Sequence, residues 1–341
     1  MNLPPAPTPP SSTAYIIAEI GSNHNQDLDI ALASIDASAA AGVDAVKFQL
    51  FRGKRHYSKF TPFFSAHPQH AVELLESLEL PRDWIPRLKT HTEDLGMEFI
   101  CSVTAGEDVD LLIDHGVDKL KIPSFEIVDL PLLRHAARKA GTLLISTGMA
   151  NMEEIEDAYQ CCKEEGLEKL VLFQCASAYP SDPEIMNLRA IHTLALAFPD
   201  ALIGLSDHTL GTVISPAAVA MGARVIEKHF TLDKAMDGPD HHFAMNPEEM
   251  TQLVQNIREV EKAMGNGQKL APYPQETEYY AKARRSIHAR RDIPKGQPIT
   301  PEDLIIKRPG YGIKPKFMDI IQNRKAKVDI QADEWITWDK I

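Results

Sequence analysis

Two histidines, His208 and His229, each close a short apolar run, in Gly-Leu-Ser-Asp-His-Thr (204–209) and Glu-Lys-His-Phe-Thr-Leu (227–232). Two imidazoles converging near the carboxylate of Glu19 would suit a divalent metal. Mixed nitrogen and oxygen ligation favours Mn²⁺ or Mg²⁺ over a thiolate zinc site. Two lysines, Lys47 and Lys121, stand at the ends of other apolar runs, where an unpaired cation is expensive. An anion such as a phosphate or carboxylate would offset that cost. Ser146, Thr147 and the backbone N–H groups of the Ser-Thr-Gly turn can add donors to the same anion. These residues are far apart in the chain, so the fold must bring them together.

The elements that could do so recur regularly. Apolar, β-branched runs at 15–20, 45–49, 98–102, 119–122, 143–146, 170–174, 202–205 and 224–227 read as strands. Helical patterns lie between them, at 29–41, 107–115, 130–140, 152–165, 186–197 and 213–221. Gly42, Gly116, Gly141, Gly166 and Gly222 follow helical stretches, where a C-cap is expected. Eight such alternations predict a parallel (β/α)8 TIM barrel, closed by a further helix over 247–264. A doubly wound open sheet is the runner-up, weakened because no G-x-G-x-x-G follows Ile20.

Chemistry in such a barrel sits at the C-terminal strand ends. Each run here ends in polar groups: Glu19, Lys47 and Gln49, Ser102, Lys121 with Ser124 and Glu126, Ser146, Ser177 with Tyr179, Ser206 with His208, and His229. Singly, any of them reads as a solvated rim residue. Eight coincident ends read as a site. The adjacent His241 and His242 read as a surface loop.

The length of 341 residues allows a barrel plus an appendage. A Pro-rich lead-in (1–14) precedes the barrel (15–265) and reads as disordered, without the order of a signal peptide. A Gly-, Pro- and Gln-rich linker (266–283) leads to a β-rich module (284–341). A module that small buries little alone and is expected to lean on the barrel or on another subunit. The net charge of −12 argues against a nucleic-acid binder, no apolar run is long enough for a membrane span, and the four cysteines form no C-x-x-C pair. A cytoplasmic protein with reduced thiols is expected.

Longer motifs carry a resemblance. Ala-Glu-Ile-Gly-Ser-Asn-His-Asn (18–25), Ala-Val-Lys-Phe-Gln (45–49), Ser-Thr-Gly-Met (146–149), the two histidine motifs and Gly-Pro-Asp-His (238–241) resemble sialic acid synthases. Arg-Arg-Ser (284–286), Asp-Ile-Pro-Lys-Gly (292–296) and Lys-Arg-Pro-Gly-Tyr-Gly-Ile (307–313) resemble that family's antifreeze-like (SAF, β-clip) domain. The resemblance implies condensation of phosphoenolpyruvate with an open-chain N-acetylated hexose, giving a nine-carbon 2-keto acid and phosphate. It implies that Lys47, Lys121, Ser102, Ser124 and Ser146 hold phosphoenolpyruvate, with Ser206 among the substrate-binding residues. Gln49, Glu126, Ser177, Tyr179 and Asp240 would line the substrate pocket, and Glu19 would handle the attacking water or a sugar hydroxyl. His208 and His229 would carry Mn²⁺ or Mg²⁺. Arg308 would reach over a neighbouring subunit's barrel, which implies a domain-swapped homodimer.

The chain departs from the family pattern in places. It reads Cys-Ser-Val-Thr (101–104) where many members read Ser-Thr-Pro-Phe, keeping a hydroxyl at Ser102. Phe125 resembles the aromatic of pseudaminic and legionaminic acid synthases. The sugar is therefore open between N-acetylmannosamine and a 2,4-diacetamido hexose. Two other classes compete. A metal-assisted sugar-acid lyase on the same barrel would need no phosphoenolpyruvate. A carbohydrate-binding protein would need no matched histidine pair.

Overall fold

The computed structural model describes residues 13–58, 60–61 and 71–341. Most of the Pro-rich lead-in falls outside the described residues. The chain divides into two compact units, Met1–Gly267 and Gln268–Ile341.

In the first unit eight parallel strands close into a barrel in chain order. They are β1 (Tyr15–Gly21), β2 (Ala45–Leu50), β3 (Glu98–Val103), β4 (Lys119–Ile122), β5 (Thr142–Ser146), β6 (Leu170–Cys175), β7 (Leu202–Asp207) and β8 (Val225–His229). Every predicted strand forms, and several run further at the C-terminal end, into the polar residues. Side chains alternate across a strand, so every second residue faces the barrel axis. Ile17, Ala45, Ile100, Leu144, Val171, Phe173 and Val225 form an apolar cluster of their own, the plug of the barrel. Gly204 on β7 lies against this plug, and a Cβ there would sit 2.7 Å from the Phe173 ring. The residues between these inward positions belong to a larger cluster under the helices. Continuing the inward parity along the same strands gives Glu19, Lys47, Gln49, Ser102, Lys121, Ser146, Cys175, Ser206, Glu227 and His229. The barrel interior therefore changes from apolar to ionisable toward the C-terminal ends, and this change creates the site.

The helices that hold the strands are closed by local chemistry. Asp27 caps Leu28–Ala41, while Asn151 and Asn246 form capping boxes on Met152–Glu164 and Pro247–Met264. Gly42, Gly116, Gly166 and Gly222 have positive φ after helix ends, as expected. Gly141 does not. The helix before it ends with Ala140 extended, and the need at Gly141 is space, because a Cβ would lie 2.5 Å from Asp118 Oδ2. Helices Gly53–His56, Ala71–Glu76 and Ile85–Asp94 between β2 and β3 were not anticipated.

The second unit has its own apolar cluster, including Ile287, Ile293, Ile299, Leu304, Ile313, Ile330 and Ile336. Its regular sheet is the antiparallel pair β9 (Ser286–Ala289) and β10 (Leu304–Lys307). Elsewhere in this β-rich module the pairing is by isolated bridges, Ile293 with Ile330, Pro298 with Lys325 and His288 with Trp335. The segment read as a linker contributes the helix Thr277–Lys282, whose Ala281 carbonyl accepts from Gly310 N–H within the same unit.

Candidate active site

The inward lysines are not unpaired cations, which corrects the expectation from sequence. Lys47 Nζ lies 2.8 Å from Glu19 Oε2 and 3.8 Å from Glu227 Oε1. Lys121 Nζ donates to both Glu227 oxygens, at 3.0 and 3.2 Å. Ser206 Oγ donates to Glu227 at 3.0 Å, and Gln49 Nε2 to Glu19 Oε1 at 2.7 Å. The two lysines and two glutamates are buried. Burial pulls Lys47 down, but the Glu19 and Glu227 carboxylates outweigh it and hold its pKa above the usual value. Lys121 is pushed down by burial, opposed by Glu227. Burial raises the Glu19 pKa despite Lys47, whereas Lys121 and Lys47 overcome burial at Glu227 and lower it. Glu227 was missed in sequence. The available signal was its parity, two residues before His229 on the same strand.

The histidines project side by side from β8 and from the residue after β7, with ring centroids 5.3 Å apart. His208 Nδ1 is 2.8 Å from the Ala176 carbonyl. A carbonyl only accepts, so Nδ1 carries the proton and Nε2 keeps the lone pair. His229 Nδ1 is buried without a hydrogen-bond partner, 3.4 Å from Asp240 Oδ2. Tyr179 covers His208, with ring centroids 4.4 Å apart. Glu19 pairs with His229 in strand register, but its carboxylate is turned to Lys47 and Gln49. Among the described residues no three His, Cys, Asp or Glu side chains form a metal-binding group. The pair of neutral imidazoles fits a cation that takes two protein nitrogens and leaves its other positions open.

Burial lowers the His208 pKa from 6.5 to about 4 and that of His229 well below 6.5. As pH falls, the unfolded chain takes up these protons before the folded chain does. These groups therefore make the fold lose stability between pH 6.5 and about 4. Glu126 and Asp240 act in the opposite sense. Burial raises both pKa values to about 7, so the folded chain protonates first and gains stability as pH falls from about 7. His208→Gln is expected to flatten the acid-side loss in urea midpoints measured from pH 7 to 4. An unchanged slope would contradict the assignment.

A second group of hydroxyls sits beside the ionic cluster. Ser124 Oγ accepts from Gly148 N–H at 3.0 Å and lies 3.8 Å from Cys175 Sγ. A Cβ on Gly148 would stand 2.3 Å from Ser177 Oγ and 2.8 Å from Ser124 Oγ, so only glycine allows this approach. The Ser146 and Ser177 hydroxyls are buried without partners, as is Glu126 Oε2. Unsatisfied buried groups of this kind call for an account, and a polar ligand supplies one. His56 Nε2 is 3.7 Å from Glu126 Oε1. Ser102 is buried on β3, opposite Gln49 and Lys121 in register.

His241 is not a surface residue. It is fully buried, with Nδ1 2.7 Å from Thr231 Oγ1 and Nε2 3.1 Å from Asn25 Oδ1. Asn25 also donates to the Asp237 carbonyl. Together they fix the loop that presents Asp240 to His229. Arg308 belongs to the second unit. It is exposed, with Nε donating to the Ala283 carbonyl at 2.6 Å.

Residues 34–269 match the NeuB family, and residues 284–341 match the SAF domain. The N,N'-diacetyllegionaminic acid synthase of Legionella pneumophila is 41% identical, over 97% of this chain and 95% of that protein. The pseudaminic acid synthase of Campylobacter jejuni is 35% identical over 93% of each chain. The crystal structure of N-acetylneuraminic acid synthetase from Leptospira borgpetersenii, in complex with citrate, is similar with a TM-score of 0.72 and 32% identity. It covers 82% of this chain and 94% of that one. With a barrel closed in chain order, an ionisable C-terminal mouth and most of its length matched in this way, the chain belongs to the NeuB family.

Proposed function

We propose that the protein is a phosphoenolpyruvate-dependent nonulosonic acid synthase, a transferase that condenses phosphoenolpyruvate with an open-chain N-acetylated hexose. The observation that carries this reading is the juxtaposition at one barrel mouth. Two neutral imidazoles stand beside a buried Glu19–Lys47–Glu227–Lys121 cluster, with partnerless serine hydroxyls beside it. The relatives' names, legionaminic, pseudaminic and N-acetylneuraminic acid synthases, support the reaction class.

In the reaction a bond forms between C3 of phosphoenolpyruvate and the aldehyde carbon. Water adds to C2, and the C2–O bond to phosphate breaks, leaving a 2-keto acid and inorganic phosphate. Each lysine ammonium has three donors. Lys47 and Lys121 can hold an anionic substrate with donors not spent on Glu19 and Glu227. Ser102, Ser124, Ser146, Ser177 and Ser206 complete the polar wall. Glu19, whose pKa burial raises, moves a proton from the attacking water toward the sugar oxygen. Glu126 and Asp240 are placed to hydrogen-bond sugar groups, with Tyr179 and Gln49 lining the same space. His208 and His229 would hold Mn²⁺ or Mg²⁺, which when bound supplies Lewis-acid polarisation of the aldehyde. Arg308, exposed on the second unit, is proposed to complete the site of a partner subunit in a domain-swapped homodimer.

The sugar is proposed to be N-acetylmannosamine or a 2,4-diacetamido hexose. A panel of these with phosphoenolpyruvate and Mn²⁺ tests the function, reading phosphate release and product mass. Phosphate should appear only when all three components are present. No release from any sugar would refute the proposal, and turnover of a sugar acid without phosphoenolpyruvate would favour the lyase.

A further inference from the structure

The motifs that carry His208 and His229 also carry Asp207, Thr209 and Lys228, which the proposed chemistry does not use. Their position is unusual. Asp207 and Lys228 are register partners on neighbouring β7 and β8. Ser206 and Glu227 face the barrel axis, where they hydrogen-bond to each other. By strand alternation the next residues, Asp207 and Lys228, face outward, under the helices. Both are buried, at 1% and 2% exposure.

The pair is fully satisfied. Lys228 Nζ lies 3.0 Å from Asp207 Oδ2, donates to the Thr209 carbonyl and lies 3.5 Å from Thr209 Oγ1. Asp207 Oδ1 accepts from Thr209 N–H at 2.9 Å and from Thr209 Oγ1 at 2.7 Å. Ser215 Oγ donates to Asp207 Oδ2 at 2.6 Å. The residues before and after His208 are thus tied to the residue before His229. A buried ion pair seldom stabilises a fold more than apolar residues of the same volume would. What it does provide is one fixed arrangement of the backbone that it spans.

We infer that Asp207 and Lys228 are positioning residues, a buried cross-strand ion pair that fixes the spacing of the His208 and His229 imidazoles for a divalent cation. The inference rests on the proposed cation-binding role of the two histidines. The pair touches no substrate and acts only through the strand ends.

The test is a Mn²⁺ titration, followed by calorimetry, of the full chain and of the double variant Asp207→Asn/Lys228→Met. This variant removes both charges while nearly keeping the side-chain volumes. The double variant is expected to keep its melting temperature within a few degrees but bind Mn²⁺ at least ~10-fold more weakly. The KM for phosphoenolpyruvate should be unchanged. Mn²⁺ affinity within twofold of the unmodified chain overturns the inference and leaves the histidine reading intact. Failure of the unmodified chain to bind Mn²⁺ overturns both. If the double variant does not fold, Thr209→Val is read instead, because it keeps the charges and deletes only the hydroxyl bonds. Weaker Mn²⁺ binding at an unchanged melting temperature then supports the inference, and unchanged binding overturns it.

Discussion

Glu227→Gln is expected to destabilise the fold by about 3–5 kcal/mol, the usual loss when one partner of a buried ion pair is removed. Its carboxylate accepts from Lys121 at 3.0 and 3.2 Å, from Ser206 at 3.0 Å, and faces Lys47 at 3.8 Å. Without it, Lys47 is left with Glu19, and Lys121 loses the carboxylate it donates to. The expected loss is a large part of the roughly 5–15 kcal/mol by which a typical domain is stable. Urea unfolding at neutral pH measures it. Ser206→Ala, which removes one hydrogen bond to the same oxygen, is the control and should lose only about 1 kcal/mol. The Glu227→Gln loss should shrink as pH is raised, because burial lowers the Lys121 pKa and the stranded cation sheds its proton more readily. A loss near that of Ser206→Ala, insensitive to pH, would show that Glu227 does not neutralise the lysines.

The same cluster shows where sequence reasoning stops. Lys47 and Lys121 are legible as inward cations because each interrupts an apolar strand with the correct parity. Glu19 is the register partner of Lys47 on the preceding strand, whereas Glu227 lies far along the chain from both lysines and is less legible. Its pairing depends on barrel closure, which brings β8 back against β1. An incoming anion therefore meets lysines that are already neutralised, not bare positive charge. The strands themselves were readable because eight apolar runs each turn polar at one end. The helices between β2 and β3 were not, since that segment lacks the short strand–helix–strand rhythm of the others. Gly141 has the sequence of a C-cap but answers to the Asp118 side chain, a contact outside its helix. His241 followed the same pattern. Its neighbours suggest a loop, and its burial comes from Thr231 and Asn25 on two other segments.

His229→Ala is expected to lower Mn²⁺-dependent turnover by ~10²–10⁴-fold, the equivalent of the several kcal/mol that a Lewis acid contributes. Stability should change far less. The His229 ring has ring contacts with His208, Tyr179 and Phe243, but its buried Nδ1 makes no hydrogen bond. Its removal therefore strands no polar partner, and the gap opens at the barrel mouth beside partly exposed Asp240. This contrast separates the two predictions. Glu227 should be costly to the fold because its partners depend on it, whereas His229 is left unsatisfied by the fold and should be costly chiefly to the reaction. Turnover and Mn²⁺ titration on one preparation, with urea unfolding alongside, give all three quantities. Retained metal-dependent turnover in His229→Ala would refute its ligand role. A stability loss as large as that of Glu227→Gln would instead make His229 a structural residue, with its open nitrogen left unexplained.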